Sequence, residues 1–506
     1  MEIINLAISI SLLLLFLLPF FLLLVRKPTN HKAEINLPPG PWKLPFIGSL
    51  HHLVSAGLPH LALRNLARSH GPVMLLRAGE IDVIVISSAE ATQEMTKTLD
   101  ANFASRPQLS ASNVLLYRST DIFFSDGVYW RQLRRICNTD LFCTRRVISF
   151  ASIRQEEILS MLRTFCKEFP DRTPLNLSIR IAEMVNNIIC RSAFRERCIR
   201  RGRFLEIMKQ ISELGSGFSF SDLFPSLSWM DIKWRRTIET IYRETDMILD
   251  ETIKEHLKIP KEQKKGDDEM DDLADALIKA KEQGDLDVPL TLDNIKAVIL
   301  DIFFAGTESS SSTIEWAMSE LMRHPAVMKK VQAEVRQAMR EKTHIDENAL
   351  LELSYVKLVI KETLRLHPPV SLIPRLCKET CKLLGYTIPS GTHVLINAWA
   401  LGRDVQYWAD AEEFKPERFE QGGTDFRGDN CEFVPFGAGR RICPGLHFGM
   451  AIMETALAHI LFHFDWELPD GVGEKDLDMT ERFGGTIARK EPLYLVPLLR
   501  VPLPDL

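Results

Sequence analysis

Pro435-Phe436-Gly437-Ala438-Gly439-Arg440-Arg441-Ile442-Cys443-Pro444-Gly445 decides the reading of this 506-residue chain. Its first two glycines let the backbone turn tightly and come close to a flat ligand. A cysteine follows, then Pro-Gly, then a helix-compatible stretch from His447 to His463. Backbone N–H groups at a helix start, with Arg441 close by, are expected to lower the Cys443 pKa and favour the thiolate. A thiolate presented in this way suits a metal ion.

Outward from this loop the composition is ordinary, 45% apolar and 25% charged, which excludes a mostly disordered chain. Lys+Arg 62 against Asp+Glu 67 gives a net charge of −5 and no electrostatic footprint for nucleic acid. Nine cysteines are too sparse for a disulfide scaffold, and the odd count leaves one thiol unpaired. Cys377 and Cys381 are spaced C-x3-C but lack the second pair that a zinc site needs.

The strongest asymmetry lies at the N-terminus. Leu6 to Val25 is an uncharged apolar run, long enough as a helix to span the roughly 30 Å hydrocarbon core of a bilayer. It is too long for the apolar part of a signal peptide, and no small-residue cleavage site follows. Arg26, Lys27 and Lys32 after it place the body on the cytosolic side. The expected organisation is a membrane anchor at 1–25, a basic, Pro-rich hinge at 26–44 and one large domain at 45–506. Leu37-Pro38-Pro39-Gly40-Pro41 reads as a stiff, non-helical spacer. Asn176-Leu177-Ser178 reads as loop sequence rather than a glycosylated sequon. The body reads mainly as helix, with short strands such as Ile81–Ile86 and Thr392–Ile396. Lys261 to Asp272 reads as an exposed connection, and Arg195, Arg197, Arg200, Arg201 and Arg203 as a solvated basic loop.

The Cys443 loop resembles the haem-binding signature of cytochromes P450, F-x-x-G-x-R-x-C-x-G, met by Phe436, Gly439, Arg441, Cys443 and Gly445. The resemblance covers essentially the whole chain and is closest to plant microsomal A-type members. It implies a mainly α fold with small β-sheets, a single large domain behind one N-terminal transmembrane helix. It also implies haem b, with Cys443 as the thiolate ligand of its iron, pushing electron density toward the metal and favouring O–O cleavage.

Further landmarks follow in order. Glu362-Thr363-Leu364-Arg365 sets a carboxylate and a guanidinium on one helix face, and the resemblance completes them with Arg418 into a buried structural set. Trp130 and Arg134, four residues apart, resemble the family's W-x-x-x-R element and imply contact with a haem propionate. Arg375 and Arg441 match the other propionate partners. Arg131, Arg135, Arg145 and Arg146 form a nearby basic set, where the resemblance implies docking of NADPH–cytochrome P450 reductase, so that NADPH and flavins act only indirectly.

Ala305-Gly306-Thr307-Glu308-Ser309-Ser310 lies on a long helix expected around 292–323 and resembles the element A/G-G-x-D/E-T. Small Ala305 and Gly306 leave room for O2, and Gly306 weakens the helical ladder. Glu308 and Ser309 are the expected catalytic acid–alcohol pair for proton delivery, with Ser310 as a substitute donor. Serine stands where the family usually has threonine, which loosens χ1. The alternative for Ser309 is a hydrogen bond back to the i−4 carbonyl. Phe304 is expected to pack against neighbouring helices.

By analogy the substrate pocket draws on Gln108–Asp121, on Ile302, Ala305 and Ser309, on Val370–Ile373, and on Phe483–Thr486. Ser371 and Thr486 are its hydrogen-bond donors, and no acidic or basic anchor stands out. Such a pocket suits a hydrophobic small molecule. The expected activity is NADPH- and O2-dependent hydroxylation of a terpenoid on the endoplasmic reticulum membrane, single-pass and facing the cytosol. The alternatives are a phenolic or alkaloid substrate, a reductase-independent haem-thiolate isomerase or lyase, or a non-catalytic haem binder.

Overall fold

The computed structural model describes residues 36–504 except 55–56, 170–171, 197–200, 215–218, 259–271, 285, 339–346 and 421. The expected anchor at 1–25, the hinge as far as residue 35, and the hydrophilic connection up to residue 271 lie outside the described residues. Among the described residues no helix is long and apolar enough to cross a membrane.

Six helices organise the site: α1 (Gly127–Ile136), α2 (Leu177–Phe194), α3 (Ile232–Lys258), α4 (Leu292–Arg323), α5 (Ser354–Leu366) and α6 (Leu446–His463). The central one, α4, starts at a reciprocal cap. Thr291 Oγ1 accepts from Asn294 N at 3.2 Å while Asn294 Oδ1 accepts from Thr291 N at 2.8 Å. It ends before His324-Pro325, where proline's ring disfavours helix in the residue ahead of it. The buried residues Ile295, Val298, Ile299, Ile302 and Phe303 place its apolar side in the main core, which α2 and α6 share. α4 is continuous through Gly306; there a Cβ would come within 2.8 Å of Ile189 Cδ1, so the glycine allows α2 to pack closely.

Strands are few and short: β1 (Val73–Ala78), β2 (Ile81–Ile86), β3 (Leu175–Asn176), β4 (Leu372–Leu376), β5 (Cys381–Leu383), β6 (Tyr386–Ile388), β7 (His393–Asn397), β8 (Phe464–Glu467), β9 (Glu481–Arg482), β10 (Ala488–Arg489) and β11 (Tyr494–Leu499). The largest sheet has the order β1-β2-β7-β4. Its β1–β2 and β7–β4 pairs are antiparallel and its β2–β7 pair is parallel, with Ile84 opposite Val394 and Arg375 opposite Val394. The architecture is mainly helical with small sheets.

The proline spacer is packed rather than free. Pro39 O accepts from Leu75 N at 2.8 Å, and a Cβ on Gly40 would fall 1.9 Å from Leu75 O, so only glycine fits against β1.

The sequon is not a loop. Asn176 caps α2 by accepting from Ile179 N, and Ser178 Oγ donates to Glu315 and accepts from Leu493 N at 2.7 Å. Of the arginine cluster, Arg203 pairs with Glu206 and Glu244, and Arg195 Nε lies 3.5 Å from Asp272, so both described side chains are ion-paired. Arg197 and Arg200, and the side chain of Arg201, lie outside the described residues.

Candidate active site

The Cys443 loop doubles back on itself. Cys443 N donates to Phe436 O at 2.9 Å, and Gly437 (φ +77°) and Gly439 (φ +67°) supply the left-handed conformations that the turn requires. At Gly439 a Cβ would meet Asp100 Oδ1 at 2.6 Å and Thr96 O at 2.8 Å. Gly445 then opens α6, and the sulfur of Cys443 faces a cavity of about 660 Å³.

The expected acidic thiol is not what the fold provides. Burial pushes the Cys443 pKa up, and the Gly445 N–H and the Arg134 charge offset this only in part. Bringing a metal to the sulfur removes the proton outright, so thiolate character belongs to the metal-bound state. The cation nearest this peptide is Arg134, whose Nη1 donates to Ile442 O at 2.6 Å. Arg441 instead donates to Ala104 O, Phe123 O and Ser125 O, with its Cζ 4.0 Å from the Trp130 ring centroid.

The arginines test whether haem fits. Arg106, Arg134 and Arg375 form no ion pair with a carboxylate among the described residues, and the buried Arg106 Nε has no hydrogen-bond partner. Burial, and then the neighbouring Arg441, press the Arg375 guanidinium down to about 10. Burial and the same two arginines lower Arg106. Buried cations are costly unless paired. The charges of Asp121 and Asp301 on Arg106, and of Asp100 on Arg375, offset the burial only in part. Two propionates would supply the remaining counter-charge. The residues present therefore fit haem.

Trp130, Arg134, Phe436 and Arg441 line the cavity. Arg375 stands behind that wall, its Nη2 on Ala438 O, whereas Arg106 stands in it. Sequence reasoning missed Arg106. Its one signal was an arginine before Pro107, which no pattern here singled out.

Ala305, Gly306, Ser309 and Ser310 of α4 face the same cavity as Cys443. Ser309 Oγ donates to Ala305 O at 2.6 Å, the back-bonded state of a helical serine. Glu308 is not in the cavity wall. Its Oε2 accepts from Thr486 Oγ1 at 3.3 Å, and Thr486 does line the cavity. Burial holds the Glu308 carboxyl above its ordinary range against the pull of Arg482, Thr486 and Lys209. The hydrogen bond joining Glu308 to the cavity wall comes from Thr486, while Ser309 Oγ is engaged on Ala305 O.

Ile302, Val370, Ser371, Ile373 and Phe483 complete a largely apolar wall. The Phe304 ring packs against the helical core, as expected, and also stands in the wall beside Gly485, where a Cβ would lie 3.0 Å from Phe304 Cζ. One expectation fails here. The wall also contains an acid, Asp301, whose Oδ2 accepts from Phe123 N at 3.1 Å beside the buried Asp121.

Glu362 and Arg365 of α5 are fully buried and bidentate, with both bonds at 2.7 Å. Glu362 Oε1 also accepts from Arg418 Nε at 2.9 Å and Lys415 N at 2.7 Å. Arg365 in turn donates to Gly402 O, Ala411 O and Glu413 O, so the set ties α5 to the segment leading toward the cysteine loop. Of the basic set, Arg131, Arg135 and Arg145 are exposed. Arg146 is buried, with Nε on Asp140 O, and is structural.

What distinguishes this pocket from a globin-like one is a cysteine sulfur where an imidazole would stand, so fold and site together define the haem-thiolate class. The Cytochrome P450 family profile matches residues 38–497, and the chain belongs to that family. It is 47% identical to desmethyl-deoxy-podophyllotoxin synthase of Sinopodophyllum hexandrum, over 98% of this chain and 97% of that protein. Premnaspirodiene oxygenase of Hyoscyamus muticus is 46% identical, over 96% and 97% respectively. 5-Epiaristolochene 1,3-dihydroxylase of Nicotiana tabacum is 45% identical, over the same shares. Among solved structures, a zebra fish cytochrome P450 with abiraterone superposes with a TM-score of 0.73 at 25% identity, covering 87% of this chain and 99% of that one. The protein is a plant A-type monooxygenase, and its cofactor is haem b.

Proposed function

We propose that this chain is an endoplasmic-reticulum monooxygenase that inserts one oxygen atom of O2 into a terpenoid, with electrons from NADPH delivered by a cytochrome P450 reductase. The observation that carries the reading is the single cavity joining Cys443 to the apolar residues Ile302, Ala305, Val370, Ile373 and Phe483. Relatives named for premnaspirodiene and 5-epiaristolochene, both terpenoid hydrocarbons, support the substrate class. A phenolic substrate is the second reading. It is supported by the similarity to desmethyl-deoxy-podophyllotoxin synthase and by Asp301 and Ser371 in the wall.

In this reading Cys443 would hold the haem iron through its sulfur, and Trp130, Arg134, Arg375, Arg441 and Arg106 would bind or neutralise the propionates. Haem bound there supplies the activation of O2. The chain's own part is to orient substrate on the apolar wall and to move protons. Glu308, its carboxyl held above the ordinary range by burial, and Thr486, whose Oγ1 donates to Glu308 Oε2 and lines the cavity, are the acid–alcohol pair of this route. To relay a proton inward the Thr486 hydroxyl turns to accept from the carboxyl. Ser309 Oγ gives up its bond to Ala305 O to donate toward the same space. Glu362, Arg365 and Arg418 hold the loop and touch no reactant.

A single anchor at 1–25 and a hinge at 26–44 would tether the domain at 45–506, facing the cytosol. Exposed apolar side chains support contact with the bilayer. Trp42 and Phe46 are exposed on one side, and Trp229, Met230 and Ile232 on the other. The β1–β2 turn joins them, Gly79 N donating to Ile47 O and Glu80 N to Leu223 O. Exposed Arg131, Arg135 and Arg145 are the cationic face offered to an acidic reductase.

The test is co-expression with reductase in microsomes and incubation with terpene hydrocarbons and phenolics, analysed by mass spectrometry. An NADPH- and O2-dependent gain of one oxygen on a terpene is the expected result. Conversion without NADPH would instead mark an isomerase, and oxygenation confined to phenolics would overturn the substrate class.

A further inference from the structure

Cys377 and Cys381 face each other across the turn between β4 and β5, with Sγ atoms 4.0 Å apart and both thiols free. Cys377 is fully buried and Cys381 half-buried. Among the described residues, no histidine or carboxylate completes a metal set around them. We propose that this pair is a dithiol that low-molecular-weight disulfides, such as oxidised glutathione, convert to an intrachain disulfide.

The local geometry assigns the order of attack. Cys381, the more accessible sulfur, attacks one sulfur of the oxidised reagent; a mixed disulfide forms and one glutathione leaves as thiol. Cys377 then attacks the Cys381 sulfur, the new S–S bond forms, and the second glutathione leaves with the proton of Cys377. Two protein thiols are oxidised and one reagent disulfide is reduced to two thiols. Burial, and then the proximity of Cys381, push the Cys377 thiol up to about 12, which fits the second, intramolecular step, where its partner sulfur is already at hand, rather than the first. Bond formation must close the sulfurs from 4.0 Å to about 2.05 Å. The protein loop so closed is very short, so the bond adds less chain-entropy stabilisation than a long loop would, and its half-buried Cys381 end leaves it open to reduction.

The turn is wired to the cysteine loop. Asn102 Oδ1 accepts from Glu379 N and its Nδ2 donates to Glu379 O, both at 2.7 Å. Lys378 N donates to Asn102 O at 3.0 Å. Two residues away, Asp100 Oδ2 accepts from Arg440 N at 3.0 Å. Drawing Cys377 toward Cys381 therefore pulls on the segment that braces Gly439 and Arg440.

The experiment equilibrates the full-length, haem-loaded protein in glutathione buffers of rising oxidised fraction, blocks free thiols and digests with trypsin. Cleavage after Lys378 separates the two cysteines, so the expected product is Leu376–Lys378 joined by a disulfide to Glu379–Lys382. It should rise with the oxidised fraction, with loss of two alkylated thiols, and vanish on return to reduced glutathione. Cys381→Ser should abolish it while leaving the reduced enzyme's activity unchanged. The haem absorption band should move with the linked peptide in the wild type and stay still in C381S. Both cysteines alkylated at every ratio, or arrest at a glutathione adduct on Cys381, would overturn the site. A band that stays still while the disulfide forms would overturn its link to the loop.

Discussion

Asp121 and Asp301 share one donor: the amide of Phe123 lies 3.1 Å from Oδ2 of each. Neither is ion-paired among the described residues; Arg106 is the cation that faces both, and Arg441 faces Asp121. Burial raises both carboxyls, and for Asp121 the charge of Asp301 adds to it. The Phe123 carbonyl accepts from Arg441, so this pair fixes the segment between α4 and the cysteine loop.

A carboxyl raised in the folded state binds more protons there than in the unfolded chain between the two pKa values. Stability therefore falls as pH rises from about 4 toward neutrality. Asp301→Asn keeps an acceptor for Phe123 N and removes the titration. Thermal unfolding of the wild type should lose about 1–3 kcal/mol relative to D301N over that window. Parallel curves would show that Asp301 is not raised in the folded state.

Gly437 and Gly439 both have positive φ, but only Gly439 lacks room for a Cβ, with Asp100 Oδ1 and Thr96 O inside 3.0 Å. Gly437→Ala should cost about 1–2 kcal/mol from backbone strain alone. Gly439→Ala should cost more and lower the haem-to-protein ratio, because Asp100 must leave Arg440 N. Denaturation and haem content, measured on both variants, check the order; equal losses would remove the steric argument.

Much of this was legible in the sequence because it is local. The ends of α4, the strand Ile81–Ile86 and the facing of Glu362 and Arg365 follow from spacing, caps and period. What escaped depends on segments far apart in the chain. Asp121 meets Asp301, and Arg106 joins Arg375, only after folding, and no periodicity announces either meeting. Phe304 packs on the core and borders the cavity at once, and the close approach of Gly485 that puts it in the wall comes from a distant segment. Cys443 misled for a related reason: a helix start and a nearby arginine are visible in sequence, whereas the burial that outweighs them is not.

Glu362 accepts from Arg365, Arg418 and the Lys415 amide at once, with no exposure to solvent. Removing it leaves the buried Arg365 guanidinium uncompensated, at about 3–5 kcal/mol. Glu362→Ala should accumulate little haem-loaded protein. Arg418→Ala, at the partly exposed edge of the set, should retain haem with a smaller fall in melting temperature. A normal haem content in E362A would refute the bracing role.

The proton route can be separated from the fold by coupling measurements. Ser309 Oγ now donates to Ala305 O, and its χ1 lacks the methyl group that would restrain it. Ser309→Thr should therefore raise the product formed per NADPH consumed, and Ser309→Ala should lower it, with hydrogen peroxide accounting for the difference. Glu308→Gln removes the titrating carboxyl and should slow turnover about 10²-fold. Thr486→Val breaks the contact between Glu308 and the cavity and should reproduce part of that loss with haem content unchanged. If S309A and E308Q both kept wild-type rate and coupling, protons would enter by another path. If only T486V were silent, Glu308 would have to reach the cavity by turning toward Ser309.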